Sequence, residues 1–223
     1  MPSHAIPDIV VGRLPVYLRA LTAMTQEGKS ITSSQELGTR LGLTSAQIRK
    51  DLSHFGEFGK QGLGYNIPFL TEQLRHILKL DHLWGVVLVG AGDLGRALAN
   101  YQGFQERGFE IRKVFDSNPA KIGQSLGRFV IQDTAQLVPS LRESDIRIAM
   151  VAVPARAAQE VTGRLVEGGV RAILNYAPTT LSVPSGVFVQ NIDPSVHLQR
   201  MTYYLLERDQ SPESNRPPAA REI

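Results

Sequence analysis

Apolar residues recur at helical spacing through the first third of the chain and then form short unbroken runs, so two different textures lie end to end. Over residues 9–27, Leu14, Tyr17, Leu18, Leu21 and Met24 fall three or four positions apart, which predicts a helix stopped by Gly28. Pro15 is expected in its first turn or at a kink. The stretch "SITSSQELGTRLGLTSAQIRKDLSHF" predicts two short helices: Ser33 or Ser34 caps the first, Gly42 breaks it and Thr44 opens the second. Thr44 with Gln47 fits the capping box, in which side chain and backbone satisfy each other at a helix start. Ile48, Leu52 and Phe55 make an inward stripe on this second helix, leaving Ser45, Arg49, Lys50 and Ser53 outward. The glycines of "GEFGKQGLGYNI" predict a tight ribbon or loop around Lys60 and Tyr65, and "TEQLRHILKLDHLW" a further amphipathic helix.

From Val86 the order becomes strand, glycine turn, helix, repeated. "GVVLVG" is the continuous apolar run of a strand buried on both faces, "DLGRALANYQGF" its helix and "EIRKVFD" the second strand. "RIAMVAVP" is a later strand, followed by a helix over 155–167, then "VRAILNYAP" and a last strand "GVFVQNID". "PSVHLQRMTYYLLERD" predicts a terminal helix with an apolar side of Leu198, Met201, Tyr204 and Leu205. The expected fold is α/β: an N-terminal winged helix-turn-helix over 1–84, a Rossmann doubly wound parallel sheet over 85–192, a C-terminal helix over 193–208 and a Pro- and Ser-rich disordered tail over 209–223.

Composition narrows the chemistry. Without cysteine, disulfides, thiolate catalysis and Cys-ligated zinc are excluded. The start lacks an export signal and no window is long and apolar enough for a membrane span, so a cytoplasmic chain is expected. The net charge of +3 is too small to argue for nucleic acid, and any such claim must rest on where the charges sit.

Gly90, Gly92 and Gly95 in "GAGDLG" form G-x-G-x-x-G, directly after an apolar strand and at the opening of a helix, and Asp116 ends the next strand 21 residues beyond Gly95. The first glycine makes the turn, the second lets the backbone of Ala91, Gly92, Asp93 and Leu94 approach a pyrophosphate, and the third lets helix pack on strand. Asp116 would accept ribose hydroxyls, and with no arginine immediately after it NAD(H) is favoured over NADP(H). The loops "AVPAR" (Val153, Pro154) and "LNYAP" (Asn175, Ala177) should face the same crevice, although ordinary turn chemistry explains them equally well.

A dehydrogenase needs a proton shuttle near the nicotinamide, and candidates are poor. Only His197 follows the glycine turn, no tyrosine has a lysine four residues on, and no room remains for a substrate domain. A cofactor that is read and not used fits better: no catalytic residue, and no metal site, is expected. In the front module a second helix lying in the major groove would present Ser45, Gln47, Arg49, Lys50 and Ser53, with Lys60, Gly62 and Tyr65 on the ribbon. Rival readings are a reductase with a helical appendage, a module for coenzyme A or an adenylate, and a protein scaffold that never meets DNA.

The combination of "IRKDLSHFGEFGKQGLGY", "GAGDLGRALANYQGF", "FD" and "LNYAP" resembles the Rex family of redox-sensing transcriptional repressors along residues 5–208. The resemblance implies a homodimer on palindromic operator DNA, with a domain-swapped terminal helix wedged between the two units of the other subunit. It implies that NADH releases the operator whereas NAD⁺ leaves repression in force. It also implies DNA contacts at Arg49, Lys50 and the ribbon, a dinucleotide held by Gly90, Gly92, Gly95 and Asp116, and a polar cluster of Arg19, Tyr101 and Asp193 that senses the nicotinamide across subunits. Pro194 departs from the family, which carries a bulky apolar residue there.

Overall fold

A computed structural model of the chain describes residues 6–60 and 63–210. It divides into two compact units, one built on residues 6–81 and the other on 82–207.

The first unit is helical with a small sheet. Helix α1 (Asp8–Gln26) buries Leu14, Tyr17, Leu21 and Met24, the predicted stripe. It begins a turn earlier than the spacing alone suggests, so Pro15 sits in its interior and not in its first turn. A two-residue strand that the pattern does not reveal, β1 (Ile31–Thr32), leads into α2 (Ser34–Leu41). Ser33 caps α2 by accepting from the Glu36 amide, and Gly42 ends it in the left-handed conformation. Helix α3 (Ser45–Ser53) is capped by Thr44, whose hydroxyl accepts from the Gln47 amide at 3.1 Å. Strands β2 (Gly59–Lys60) and β3 (Gly64–Asn66) form the ribbon, and β1 pairs with the other edge of β3 to give an antiparallel order β1-β3-β2. Helix α4 (Ile67–Ile77) starts four residues before the predicted point, because the Asn66 side chain accepts from the Phe69 amide. Leu37, Ile48, Leu52, Ile67, Leu70 and Leu74 complete the core against α1.

The second unit alternates strand and helix: β4 (Trp84–Val89), α5 (Asp93–Asn100), α6 (Gly103–Glu106), β5 (Phe109–Asp116), β6 (Ser125–Leu126), β7 (Phe129–Asp133), α7 (Leu137–Arg142), β8 (Ile148–Val151), α8 (Ala155–Glu167), β9 (Ala172–Asn175), β10 (Phe188–Asn191) and α9 (Pro194–Gln210). The seven strands are ordered β10-β9-β8-β4-β5-β7-β6. The first six pair in parallel; the short β6 turns back antiparallel on β7 and makes the sheet mixed at that edge. The hairpin β6–β7 is the element the apolar pattern conceals, since "SLGRFVIQD" mixes polar and apolar positions at a half-exposed edge. Both faces of β4 are covered: Val87 and Val89 pack with Phe115, Leu141, Val151 and Leu165, whereas Val86 and Leu88 pack with Val114, Ile131 and Met150. That double burial is why the strand reads as an uninterrupted apolar run.

Helix α9 opens with Pro194 at its first position, where a missing N–H costs nothing. Its apolar residues Leu198 and Met201 are 62% and 61% exposed, whereas α1 and α8 each bury an apolar stripe. Of the tail expected over 209–223, residues 209 and 210 instead continue α9, and the rest lies outside the described residues. Among those described, no helix is long and apolar enough to cross a membrane.

Candidate functional site

In the second unit the strand order reverses between β4 and β8, which leaves a crevice outside their carboxyl ends. Gly90 continues β4 and donates to the Phe115 carbonyl at 2.7 Å. Its φ of +104° and a Cβ that would lie 2.3 Å from the Ala152 carbonyl oxygen leave no alternative to glycine. A Cβ on Gly95 would meet the Gly90 carbonyl oxygen at 1.8 Å, so α5 approaches the turn as closely as backbone allows. At Gly92 nothing lies within 4 Å of a Cβ. The three glycines thus serve turn, approach and packing, and the space beside Gly92 is where a phosphate would come against the first-turn amides of Asp93 and Leu94, which have no intrahelical acceptor.

Asp116 ends β5 beside this turn. Its Oδ2 accepts from the Ala91 amide at 2.8 Å and its Oδ1 from the Asn118 amide at 2.8 Å, and Lys121 Nζ stands 3.3 Å from Oδ2. Burial pushes this carboxyl up, but the two amides and the lysine outweigh it and hold the group below the usual carboxylate range. An ionised Asp116 with three of about four acceptor positions filled keeps one on Oδ1 for a hydroxyl. Lys121 is a site residue that the sequence pattern does not single out, because its pairing with Asp116 closes only when "DSNPAK" folds as a turn. Replacing Asp116 with alanine removes this open acceptor and frees the Ala91 amide; if the carboxylate takes ribose hydroxyls, isothermal titration will show NADH affinity falling about tenfold or more, with DNA affinity of the ligand-free protein unchanged.

Ladder hydrogen bonds carry the carboxyl edge onward, from the Ala152 amide to the Val89 carbonyl, from Tyr176 to Val151 and from Ile192 to Asn175. Val153, Pro154, Ala177 and Asp193 therefore follow strands that end on one edge. Asn175, at the end of β9, is turned into the protein. Its fully buried amide donates to the Thr179 carbonyl and to Asn191 Oδ1, each at 2.8 Å, and its Oδ1 accepts from the Ala177 amide at 3.0 Å. It is a clamp tying the loop after β9 to β10, its amide hydrogens spent within the protein. Tyr101 follows the C-terminal end of α5, about 12 Å of helix away from the glycine turn, and lines a cavity with Phe109 and Arg128 near the amino end of β5. Its hydroxyl accepts from Arg107 at 3.1 Å. Asp193 accepts from the Ser195 hydroxyl and amide at the start of α9, which holds it below the usual carboxylate range. Among the described residues no cluster of His, Asp and Glu could hold a metal ion.

In the first unit, α3 turns Arg49, Lys50 and Ser53 outward and half-exposes Ser45. Arg49 donates to the Ser34 hydroxyl at 3.1 Å, and Ser53 donates to the Lys50 carbonyl at 2.8 Å. Gln47 is half-exposed, and its side-chain amide donates within the helix to Asp51 Oδ1 at 2.6 Å and does not reach back to complete the capping box. Asp51 is itself wholly buried, paired with Arg13 and Tyr17 of α1. Tyr65 is half-buried against the core, stacked where a Cβ on Gly59 would meet its ring at 2.9 Å. Burial pushes its phenol up, with the charge of Arg49 acting the other way. Arg19 lies on the exposed face of α1. Gly62 and the Lys60 side chain lie outside the described residues.

A winged helix-turn-helix and a glycine-turn Rossmann sheet in one chain define the architecture of a ligand-responsive transcription regulator. A family model described as "Putative DNA-binding protein N-terminus" matches residues 5–53, and one described as "CoA binding domain" matches residues 81–179. The Redox-sensing transcriptional repressor Rex of Roseiflexus sp. (strain RS-1) is 54% identical over 211 residues, covering 95% of this chain and 96% of that protein. The crystal structure of RSP, a Rex-family repressor, in complex with β-NAD⁺ and operator DNA superposes with a TM-score of 0.87 at 36% identity, covering 92% of this chain and 94% of that one. RSP in complex with β-NADH gives 0.84 at 34% identity, covering 92% and 97%. The chain belongs to the Rex family of redox-sensing transcriptional repressors.

Proposed function

We propose that the protein represses transcription by binding operator DNA as a homodimer and releases it when NADH fills the crevice. The observation that carries this reading is the joint presence of an outward Arg49–Lys50 face on α3 and a phosphate-ready glycine turn with an ionised Asp116, in a chain whose relatives were solved with operator DNA, β-NAD⁺ and β-NADH. In this reading residues 1–84 bind DNA, 85–192 bind NAD(H) and 193–208 cross to the second copy. The exposed apolar side of α9 supports the crossing, since a second copy would remove Leu198 and Met201 from water. Arg19, Tyr101 and Asp193 would then form one cluster contributed by two subunits.

The chemistry of the switch is electrostatic. NADH and NAD⁺ differ by a hydride, hence by one positive charge on the nicotinamide ring, and a desolvated pocket penalises an uncompensated cation. A ligand shifts a two-state dimer only through differential affinity, which this charge supplies. The readout is spacing: two recognition helices must stand about 34 Å apart to engage successive major-groove turns, so a modest rotation uncouples them.

Catalysis is not part of this function. The relatives are named transcriptional repressors, which supports a cofactor that is sensed and not turned over. Action in the cytoplasm follows from the proposed partner, DNA. The test is operator occupancy measured across a titrated NADH to NAD⁺ ratio; occupancy that ignores the ratio ends the proposal. The match described as "CoA binding domain" keeps coenzyme A as a second reading. Its 3′-phosphate would bring a second anion towards Asp116, so titration should rank NADH well above coenzyme A and NADPH. Arg49→Ala should weaken operator binding about tenfold and leave NADH affinity intact, which footprinting and titration check separately.

A further inference from the structure

The first unit buries a single carboxylate, Asp51, in the middle of α3 at 0% exposure. Arg13 grips it with both arms of its fork, Nε to Oδ2 at 2.5 Å and Nη2 to Oδ1 at 2.8 Å. Tyr17, one turn further along α1, donates its hydroxyl to Oδ2 at 2.5 Å. Gln47, one turn back along α3, donates to Oδ1 at 2.6 Å. Every acceptor position of the carboxylate is taken by a donor whose direction is fixed by the helix that carries it.

Stability alone does not call for such an arrangement. Ile48 and Leu52 already anchor α3 in the core, and replacing a buried ion pair by apolar side chains of like volume is often neutral or stabilising. What apolar contact lacks is direction: a helix seated only on Ile48 and Leu52 can roll by a fraction of a turn with little change in buried area. Three directed hydrogen bonds from α1, two from Arg13 and one from Tyr17, forbid that roll, while the fourth, from Gln47, lies within α3. Arg49 and Lys50 immediately precede Asp51 and face outward, so a roll of α3 would swing both across the groove they address.

We propose that Asp51 is a positioning residue that fixes the rotation of α3 about its own axis, through Arg13 and Tyr17 of α1, and thereby aims Arg49 and Lys50 at base edges. The inference rests on the DNA-binding reading above. It also gives Gln47 a part, since its side-chain amide donates to Asp51 from within α3.

The test uses the full-length protein and a duplex selected by the parent from a random library, with a scrambled duplex as reference. The apolar variant R13M/Y17F/D51L removes one positive and one negative charge, so its attraction to phosphate is matched to the parent. It should keep its melting midpoint within about 5 °C. It should nevertheless bind the selected duplex about tenfold more weakly, with scrambled-duplex binding and NADH affinity unchanged. Asp51→Asn, which keeps shape and one acceptor, serves should the triple variant not fold; corrected for folded fraction by circular dichroism, it should show the same selective loss. A folded variant of either kind that binds the selected duplex as tightly as the parent overturns the inference and leaves the DNA-binding reading intact. A parent protein that enriches no duplex overturns that reading, and the inference with it.

Discussion

Replacing Gly95 with alanine is expected to abolish dinucleotide binding and to destabilise the second unit by about 3 kcal/mol. The added Cβ would stand 1.8 Å from the Gly90 carbonyl oxygen and 2.9 Å from its carbon, both backbone atoms of a turn that is itself held between Phe115 and Ala152. Neither side can yield alone, so α5 must lift off β4 and take the first-turn amides with it. Gly92→Ala is the instructive contrast. Its Cβ meets nothing within 4 Å, so stability should change by no more than about 1 kcal/mol, while the methyl group occupies the approach to the phosphates and NADH affinity falls steeply. The lone tryptophan, Trp84, begins β4 and reports unfolding of this unit by fluorescence. Similar denaturation midpoints for the two variants would show that Gly95 is not a packing residue.

Asp51→Ala should be the most damaging single change in the first unit, costing about 3 kcal/mol, because it leaves the Arg13 guanidinium and the Tyr17 hydroxyl facing a void without their shared acceptor. The cost sits at the lower end for a broken buried pair, since the Arg13 side chain keeps 17% exposure and can recruit water. Loss of helical circular dichroism should therefore precede the Trp84 transition in the variant. The parent carries a matching pH signature. Burial pushes the Asp51 carboxyl up, but its hydrogen bonds with Arg13, Tyr17 and Gln47 prevail and hold it below 3.8, so its contribution is complete above that pH and is lost as pH falls through the lowered value. Burial and the neighbouring carboxylate raise the Tyr17 phenol above 10.0, so its contribution is complete below pH 10 and is lost as pH rises through the raised value. The unit should be most stable between these limits, and Asp51→Ala should flatten the acid limb of the profile. An unchanged acid limb would mean that another carboxylate governs it.

Much of the fold can be read along the chain because its determinants are local. Ser33, Thr44 and Gly42 mark helix ends through contacts made within a few residues, and the β4 run declares its burial by composition. The edge hairpin β6–β7 stays hidden because a half-exposed strand carries no strong period, and the start of α4 was set by Asn66 and not by the apolar stripe. At the site the same division holds. Spacing identifies Gly90, Gly92, Gly95 and Asp116, whereas Lys121 becomes legible only once the turn after β5 closes.

The sequence by itself determined the two textures, the glycine turn and the outward basic pair on α3, since each depends on neighbours three to a few residues away. Tertiary structure decided the use of the polar residues: Asn175, which spacing offers as a ligand contact, is turned inward, Gln47 donates to its helix neighbour Asp51, and Asp51, which spacing passes over, is gripped by Arg13 of α1. The reason is that a buried polar group must find partners wherever the fold brings them, and Arg13 meets Asp51 across 38 residues of chain. No local pattern encodes a pairing of that range.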